Sequence, residues 1–107
     1  MAISLTERDD GRRIQVRVGD TIEIRLPENA PAGYRWGVDS LDERLFELTD
    51  TRGDYPTATT GSAGEMYFHL TVLAPGEGTL RFTYYRSWEG TAGALRHFTV
   101  DVRAVAQ

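Results

Sequence analysis

The sequence predicts an all-β fold, an immunoglobulin-like antiparallel β-sandwich of about seven to eight strands. Three observations carry that expectation. Apolar residues recur at every second position in several segments, Gly- and Pro-rich turns interrupt those segments at short intervals, and no stretch has a convincing helical period. Short strands with that spacing suit a two-sheet sandwich, with a small closed barrel as the runner-up.

The elements follow in order. Ile14, Val16 and Val18 alternate with Arg13, Gln15 and Arg17, Gly19-Asp20 makes a turn, and Ile22, Ile24 and Leu26 alternate with Glu23 and Arg25. Both segments read as half-buried strands. Tyr34 and Trp36 are spaced by two and so share one face of a strand, where a buried Trp is common in an immunoglobulin-like core. Leu41 to Phe46 could form one helical turn, but Phe46, Leu48 and the polar residues after them look more like another strand. Alternation returns at Met66, Phe68, Leu70 and Val72. It resumes at Leu80, Phe82 and Tyr84 after Gly76-Glu77-Gly78, which reads as a hairpin turn. The last strand carries Phe98, Val100, Val102 and Ala104. The one long connection, Gly53 to Gly64, is rich in Thr, Gly and Ser. With no internal repeat, low-complexity tract or linker, residues 1–107 read as one domain.

At 107 residues and 40% hydrophobic content, folding buries roughly two thirds of the unfolded surface and leaves no room for a second core. All twelve positive charges are arginine, scattered along the strands within a net charge of -4, so there is no phosphate-tracking stripe. Nucleic acid is not an expected partner. The absence of cysteine excludes a disulfide framework, a thiolate metal site and a cysteine nucleophile. No run is long enough to cross a bilayer as a helix, and the first residues lack the pattern of a signal peptide, so no membrane partner is expected. The chain as given reads as cytoplasmic, with a periplasmic or secreted location open if a leader has been removed.

Enzymatic readings find little support. His69 and His97 lie in strand-like segments without a nearby nucleophile, and neither has the close partner that a metal site uses. His69 falls opposite in parity to Phe68 and Leu70, which places it on a solvated sheet face. Asp9-Asp10, Asp39, Asp42-Glu43 and Glu47 read as turn and surface carboxylates. Gly76-Glu77-Gly78 is not a phosphate cradle, since no helix follows it. No catalytic residue, cofactor or metal is expected.

Binding is better represented. In Asn29-Ala30-Pro31-Ala32-Gly33-Tyr34-Arg35-Trp36, Pro31 fixes φ and Gly33 permits positive φ, which makes a stiff loop beside large aromatics. Trp88, next to Arg86 and Ser87, comes at the end of a strand and ahead of Glu89-Gly90-Thr91-Ala92-Gly93. Uninterrupted alternation would give Arg86 and Trp88 the core-facing parity, whereas a loop end would present them to solvent. An exposed Trp beside an Arg is typical of interface hot spots. The alternative is an indole folded back to plug the end of the sandwich.

These residues resemble the chagasin-type inhibitors of papain-like cysteine proteases, an immunoglobulin-like family with three loops at one end of the fold. The family's Asn-Pro-Thr-Thr-Gly-Tyr/Phe-x-Trp, Gly-x-Gly-Gly and Arg-Pro-Trp/Phe patterns are similar to residues 29–36, Gly61-Ser62-Ala63-Gly64 and Arg86-Ser87-Trp88. Order and spacing match over nearly the whole chain. The departures are Ala30, Pro31 and Ala32 for Pro-Thr-Thr, Ala63 for a Gly, and Ser87 for the Pro. The resemblance implies reversible, competitive inhibition by a wedge of three loops. Its protease-binding residues would be Asn29, Ala30, Pro31, Ala32 and Gly33 in the first loop, Gly61, Ser62, Ala63 and Gly64 in the second, and Arg86, Ser87 and Trp88 in the third. The expected partner is a papain-like cysteine protease, and the protein is expected to be a monomer when free. The alternative is an immunoglobulin-like adhesion or assembly module that binds through a sheet face or an edge strand.

Overall fold

Among the residues described by the computed structural model, 1–28, 33–54 and 64–107, the alternation becomes eight strands in two sheets. They are β1 (Ala2–Thr6), β2 (Arg13–Arg17), β3 (Thr21–Glu28), β4 (Tyr34–Ser40), β5 (Phe46–Asp54), β6 (Gly64–Val72), β7 (Gly76–Arg86) and β8 (Arg96–Val105). One sheet has the order β1-β3-β6-β5 and the other β2-β8-β7-β4. The inward residues of the first include Ile22, Ile24, Leu26, Phe68, Leu70 and Val72, and those of the second Leu80, Phe82, Phe98, Val100 and Val102. All of them are buried. Phe82 joins the layers, with its ring centroid 4.7 Å from Phe68 and 6.1 Å from Phe98. Both separations lie in the range where tilted aromatic pairs attract.

The sandwich is not purely antiparallel. β3–β6, β5–β6, β4–β7 and β7–β8 pair antiparallel, but β1 runs parallel to β3 and β2 parallel to β8. The cause is a change of sheet after each of the first two strands. A 3-10 turn at Glu7–Asp9 takes the chain from β1 to β2 in the opposite sheet, and Gly19-Asp20 brings it back to β3. Strands separated by two reversals point the same way, so β1 lies parallel beside β3. A period of two specifies faces, not directions.

Gly76-Glu77-Gly78 is likewise not a hairpin turn. β6 and β7 lie in different sheets, and residues 76–78 already pair with Ala104, Arg103 and Val102 of β8. Gly78 fits closely here, because a Cβ would stand 3.1 Å from Leu45 and 3.2 Å from Phe46, two buried residues closing that end of the core. The expected connection from Gly53 to Gly64 is shorter than the sequence suggests, since Gly53 and Asp54 pair with Met66 and Glu65. Asp42 accepts backbone bonds from Leu45 and Phe46 through its carbonyl, forming the turn expected at that place before β5.

The crossover after β1 is held by carboxylates. Asp9 accepts the backbone N–H of Thr6 at 2.8 Å and pairs with the Arg12 guanidinium, while Asp10 accepts the Thr99 N–H of β8 at 2.8 Å. The Thr6 N–H, and after it Arg12, hold the Asp9 carboxyl below the ordinary aspartate range. Its contribution is therefore present above the unfolded-state pKa and is lost as the pH falls through the lower folded-state value. Asp9→Asn should lower the melting temperature at neutral pH, with the deficit closing as both proteins are acidified. A deficit unchanged down to strongly acidic pH would show that the charge contributes nothing.

Candidate functional site

The registers of the strands bring three connections to one end of the sandwich. Glu28, the last residue of β3, pairs with Gly64, the first of β6, and Asp54 at the end of β5 pairs with Glu65. In the other sheet Tyr34, the first residue of β4, pairs with Arg86, the last of β7. The stems of the 28–34, 54–64 and 86–96 connections thus open at a common end.

Trp36 ties the two sheets together there. Its indole Nε1 donates to the Pro27 carbonyl at 2.8 Å, and its backbone N–H donates to the Glu28 carboxylate at 2.9 Å. The indole itself is buried and stacks on Tyr84 at 4.9 Å, as a core Trp on this strand should. Tyr84 lies 5.3 Å from Tyr34, which is half-buried at the mouth. Arg86 sits over the Tyr34 ring at 4.3 Å and over the Trp88 ring at 5.7 Å, and its guanidinium is 3.6 Å from Glu89. Arg86 is half-buried and Ser87 exposed.

Trp88 is 71% exposed, so it does not plug the core. Its place is nevertheless defined. Glu89 and Gly90 both donate to the Arg86 carbonyl, at 3.0 and 3.2 Å, which curls the chain directly after β7. Gly90 completes the curl at φ +72°. Leu95 returns to the sheet by donating to the Tyr84 carbonyl at 2.9 Å. The curl lays the indole across Gly33, where a Cβ would meet Trp88 Cη2 at 2.3 Å. Gly33 also holds φ +86°. First and third connections therefore touch through Gly33 and Trp88.

Of the sequence-predicted binding residues, the structure brings together Gly33, Arg86, Ser87 and Trp88. Gly64 departs from its expected place as a loop residue, because it is buried and laddered to Glu28 as the first residue of β6. Asn29, Ala30, Pro31, Ala32, Gly61, Ser62 and Ala63 lie outside the described residues. Two participants were not singled out from the sequence. Glu28 continues the inward parity of Ile22, Ile24 and Leu26, so alternation alone could have marked it as an inward-facing acid. Arg35, its ion-pair partner at 3.5 Å, carries no sequence signal beyond its charge. His69 is half-buried on the outer face of the first sheet, 3.6 Å from Glu23. Among the described residues no three His, Cys, Asp or Glu side chains gather as metal ligands would.

Comparison with known proteins agrees with this arrangement. The chain is 30% identical to chagasin of Trypanosoma cruzi over 109 residues, covering 97% of this chain and 99% of chagasin. It is 30% identical to amoebiasin-1 of Entamoeba histolytica over 100 residues, covering 94% and 97% of the two. Among solved structures, the cysteine protease inhibitor EhICP2 from Entamoeba histolytica superposes with a TM-score of 0.87 at 26% identity, covering 97% of this chain and 96% of that one. The profile of the Chagasin family peptidase inhibitor I42 matches residues 15–102. The chain, with its three connections gathered at one end of an immunoglobulin-like sandwich, belongs to the chagasin family of peptidase inhibitors.

Proposed function

We propose that this protein inhibits papain-like cysteine proteases reversibly and competitively, by seating the three-loop end of the sandwich in the active-site cleft. The observation that carries the reading is the shared end itself, where an exposed Trp88 is held against Gly33 at the mouth of a rigid core. Family membership supplies the target class, and the relatives are inhibitors, not enzymes.

The physical argument begins with the protease. A papain-like cleft binds an extended peptide and attacks the carbonyl lying over its thiolate. A blunt loop occupies the same space without presenting a scissile bond in that position. Residues 29–33 suit the role by composition: Pro31 has no N–H for substrate-like pairing, and Ala30 and Ala32 are small enough for a narrow cleft. Trp88 and Arg86 would flank the wedge on one side, and Gly61, Ser62, Ala63 and Gly64 on the other. Stems already fixed by ladders and by the Trp36 bonds spare much of the ordering cost of binding, so a contact of about 800 Å² per partner suffices for tight association.

Titration of papain with the purified domain should show competitive, fully reversible loss of activity. No loss at micromolar inhibitor would overturn the reading. Trp88→Ala should cost at least ~2 kcal/mol of binding, because truncation removes an aromatic anchor. Its folding stability should shift by no more than about 0.5 kcal/mol, as expected of an exposed side chain. A large fall in melting temperature with unchanged inhibition would assign the indole to the fold instead.

Gly33→Ala meets two obstacles at once, the +86° φ and the indole 2.3 Å from the new Cβ. We expect it to destabilise the fold by about 1–3 kcal/mol, the usual cost of backbone strain of this kind, and to weaken inhibition by displacing the indole. Inhibition equal to that of the native protein would mean that the Gly33–Trp88 contact is not part of the docking surface.

A further inference from the structure

We propose that Glu28, which lies outside the loop motifs, is a positioning residue that locks together the two stems of the first loop and so fixes the form in which that loop is presented. The proposal rests on the inhibitory reading above for its consequence, but not for its geometry.

The first ground is burial. Glu28 is the most deeply buried acid among the described residues, with its side chain 0% exposed. Removing a carboxylate from water is costly unless partners replace the lost hydration. Leu26, two residues earlier on the same inward face, shows that an apolar side chain serves the core in this strand. An acid at the next inward position therefore needs a reason other than packing.

The second ground is what the carboxylate spans. Oε2 accepts the Trp36 N–H at 2.9 Å, across eight residues of sequence and from one sheet to the other. β3 and β4 belong to different sheets, so no ladder joins the stems of this loop. The Glu28 carboxylate takes the place of the missing ladder, and the Trp36 indole spans the same gap by donating to the Pro27 carbonyl at 2.8 Å. Two bonds, both donated by Trp36, thus fix the distance between residues 27–28 and residue 36. Every residue of the first loop lies between those points.

The third ground is the lopsided pairing of the remaining oxygen. Oε1 is buried and, among the described residues, has only the ionic contact, at 3.5 Å, to Nε of Arg35, whose side chain is 61% exposed. Of the two contacts described for the carboxylate, the shorter is the one to the Trp36 N–H.

Three variants separate positioning from folding. Glu28→Gln keeps an acceptor oxygen at the same reach, Glu28→Leu keeps the volume without an acceptor, and Glu28→Asp keeps the charge but shortens the reach. Each is read for its association rate with papain, its melting temperature, and the hydrogen-exchange rate of the Trp36 amide in the uncomplexed protein. The lock predicts slow Trp36 exchange in the native protein and Glu28→Gln, and fast exchange in the other two. It also predicts association slowed about tenfold or more in Glu28→Leu and Glu28→Asp, because the loop must then be ordered during docking, with Glu28→Gln close to native. Should Glu28→Leu fail to fold, Glu28→Asp carries the comparison. Native association rates in both variants, or slowed association with native Trp36 exchange, would overturn the proposal. A native protein that does not inhibit papain would instead overturn the inhibitory reading, while Trp36 exchange would still report the lock.

Discussion

Everything at the loop end depends on a continuous column of stacked groups running from the core to the tip. Trp36 stacks on Tyr84, Tyr84 meets Tyr34, Arg86 covers Tyr34, and the same guanidinium lies over Trp88. Up to Arg86 the members come alternately from β4 and β7, so each of those contacts also joins neighbouring strands. Aromatic pairs and cation–π contacts of this kind each add modest energy beyond their buried area. Their geometric effect is larger. A side chain as exposed as Trp88 would ordinarily sample several rotamers, and here its orientation is inherited from a buried Trp through three intermediates.

The column also shows how a change in the loops can leave the architecture intact. Gly33, Tyr34, Trp36, Arg86 and Trp88 match the family pattern, and all five take part in the column or in the contact that ends it. Of the departures, Ser87 is exposed and takes no part in it, while Ala30, Pro31, Ala32 and Ala63 lie outside the described residues. Presentation of the loops and the chemistry at their tips are therefore separable. Substitutions at the tips alter what touches a protease, while substitutions in the column alter whether the first and third loops arrive together. The first kind tunes affinity and selectivity; the second removes the preorganisation on which tight binding by a surface of ordinary size depends.

Much of the fold was legible because a half-buried strand writes its face into a period of two. Ile22-Ile24-Leu26 and Leu80-Phe82-Tyr84 announced inward faces that the structure retains. Strand direction was not legible, since Ile14 and Val16 alternate in the same way whether β2 meets β8 parallel or antiparallel. Short β1 escaped notice because Ile3 and Leu5 supply only two inward positions. Gly76-Glu77-Gly78 misled for a different reason: its glycines make room for Leu45 and Phe46, a demand set by residues about thirty positions earlier in the chain. At the site, the turn chemistry around Gly33 and Trp88 was visible, but their contact depends on the curl after Arg86. Glu28 was legible by parity, as the next inward position after Leu26.

Gly33 shows most sharply how local and tertiary demands coincide. Its φ of +86° alone would favour glycine while still admitting asparagine, whose short polar side chain tolerates the left-handed region. The indole removes that latitude. Any Cβ at this position would lie 2.3 Å from Cη2, with its two bonded neighbours at 3.1 and 3.2 Å, so the clash is with the outer edge of the indole's six-membered ring. Relief would require the indole to slide off Gly33, and the ring's place is set by Arg86 and by the backbone bonds of Glu89 and Gly90. A glycine that first serves to turn the chain out of the first loop thereby becomes the seat of the third loop's anchor. The two loops are coupled by the absence of a single methyl group.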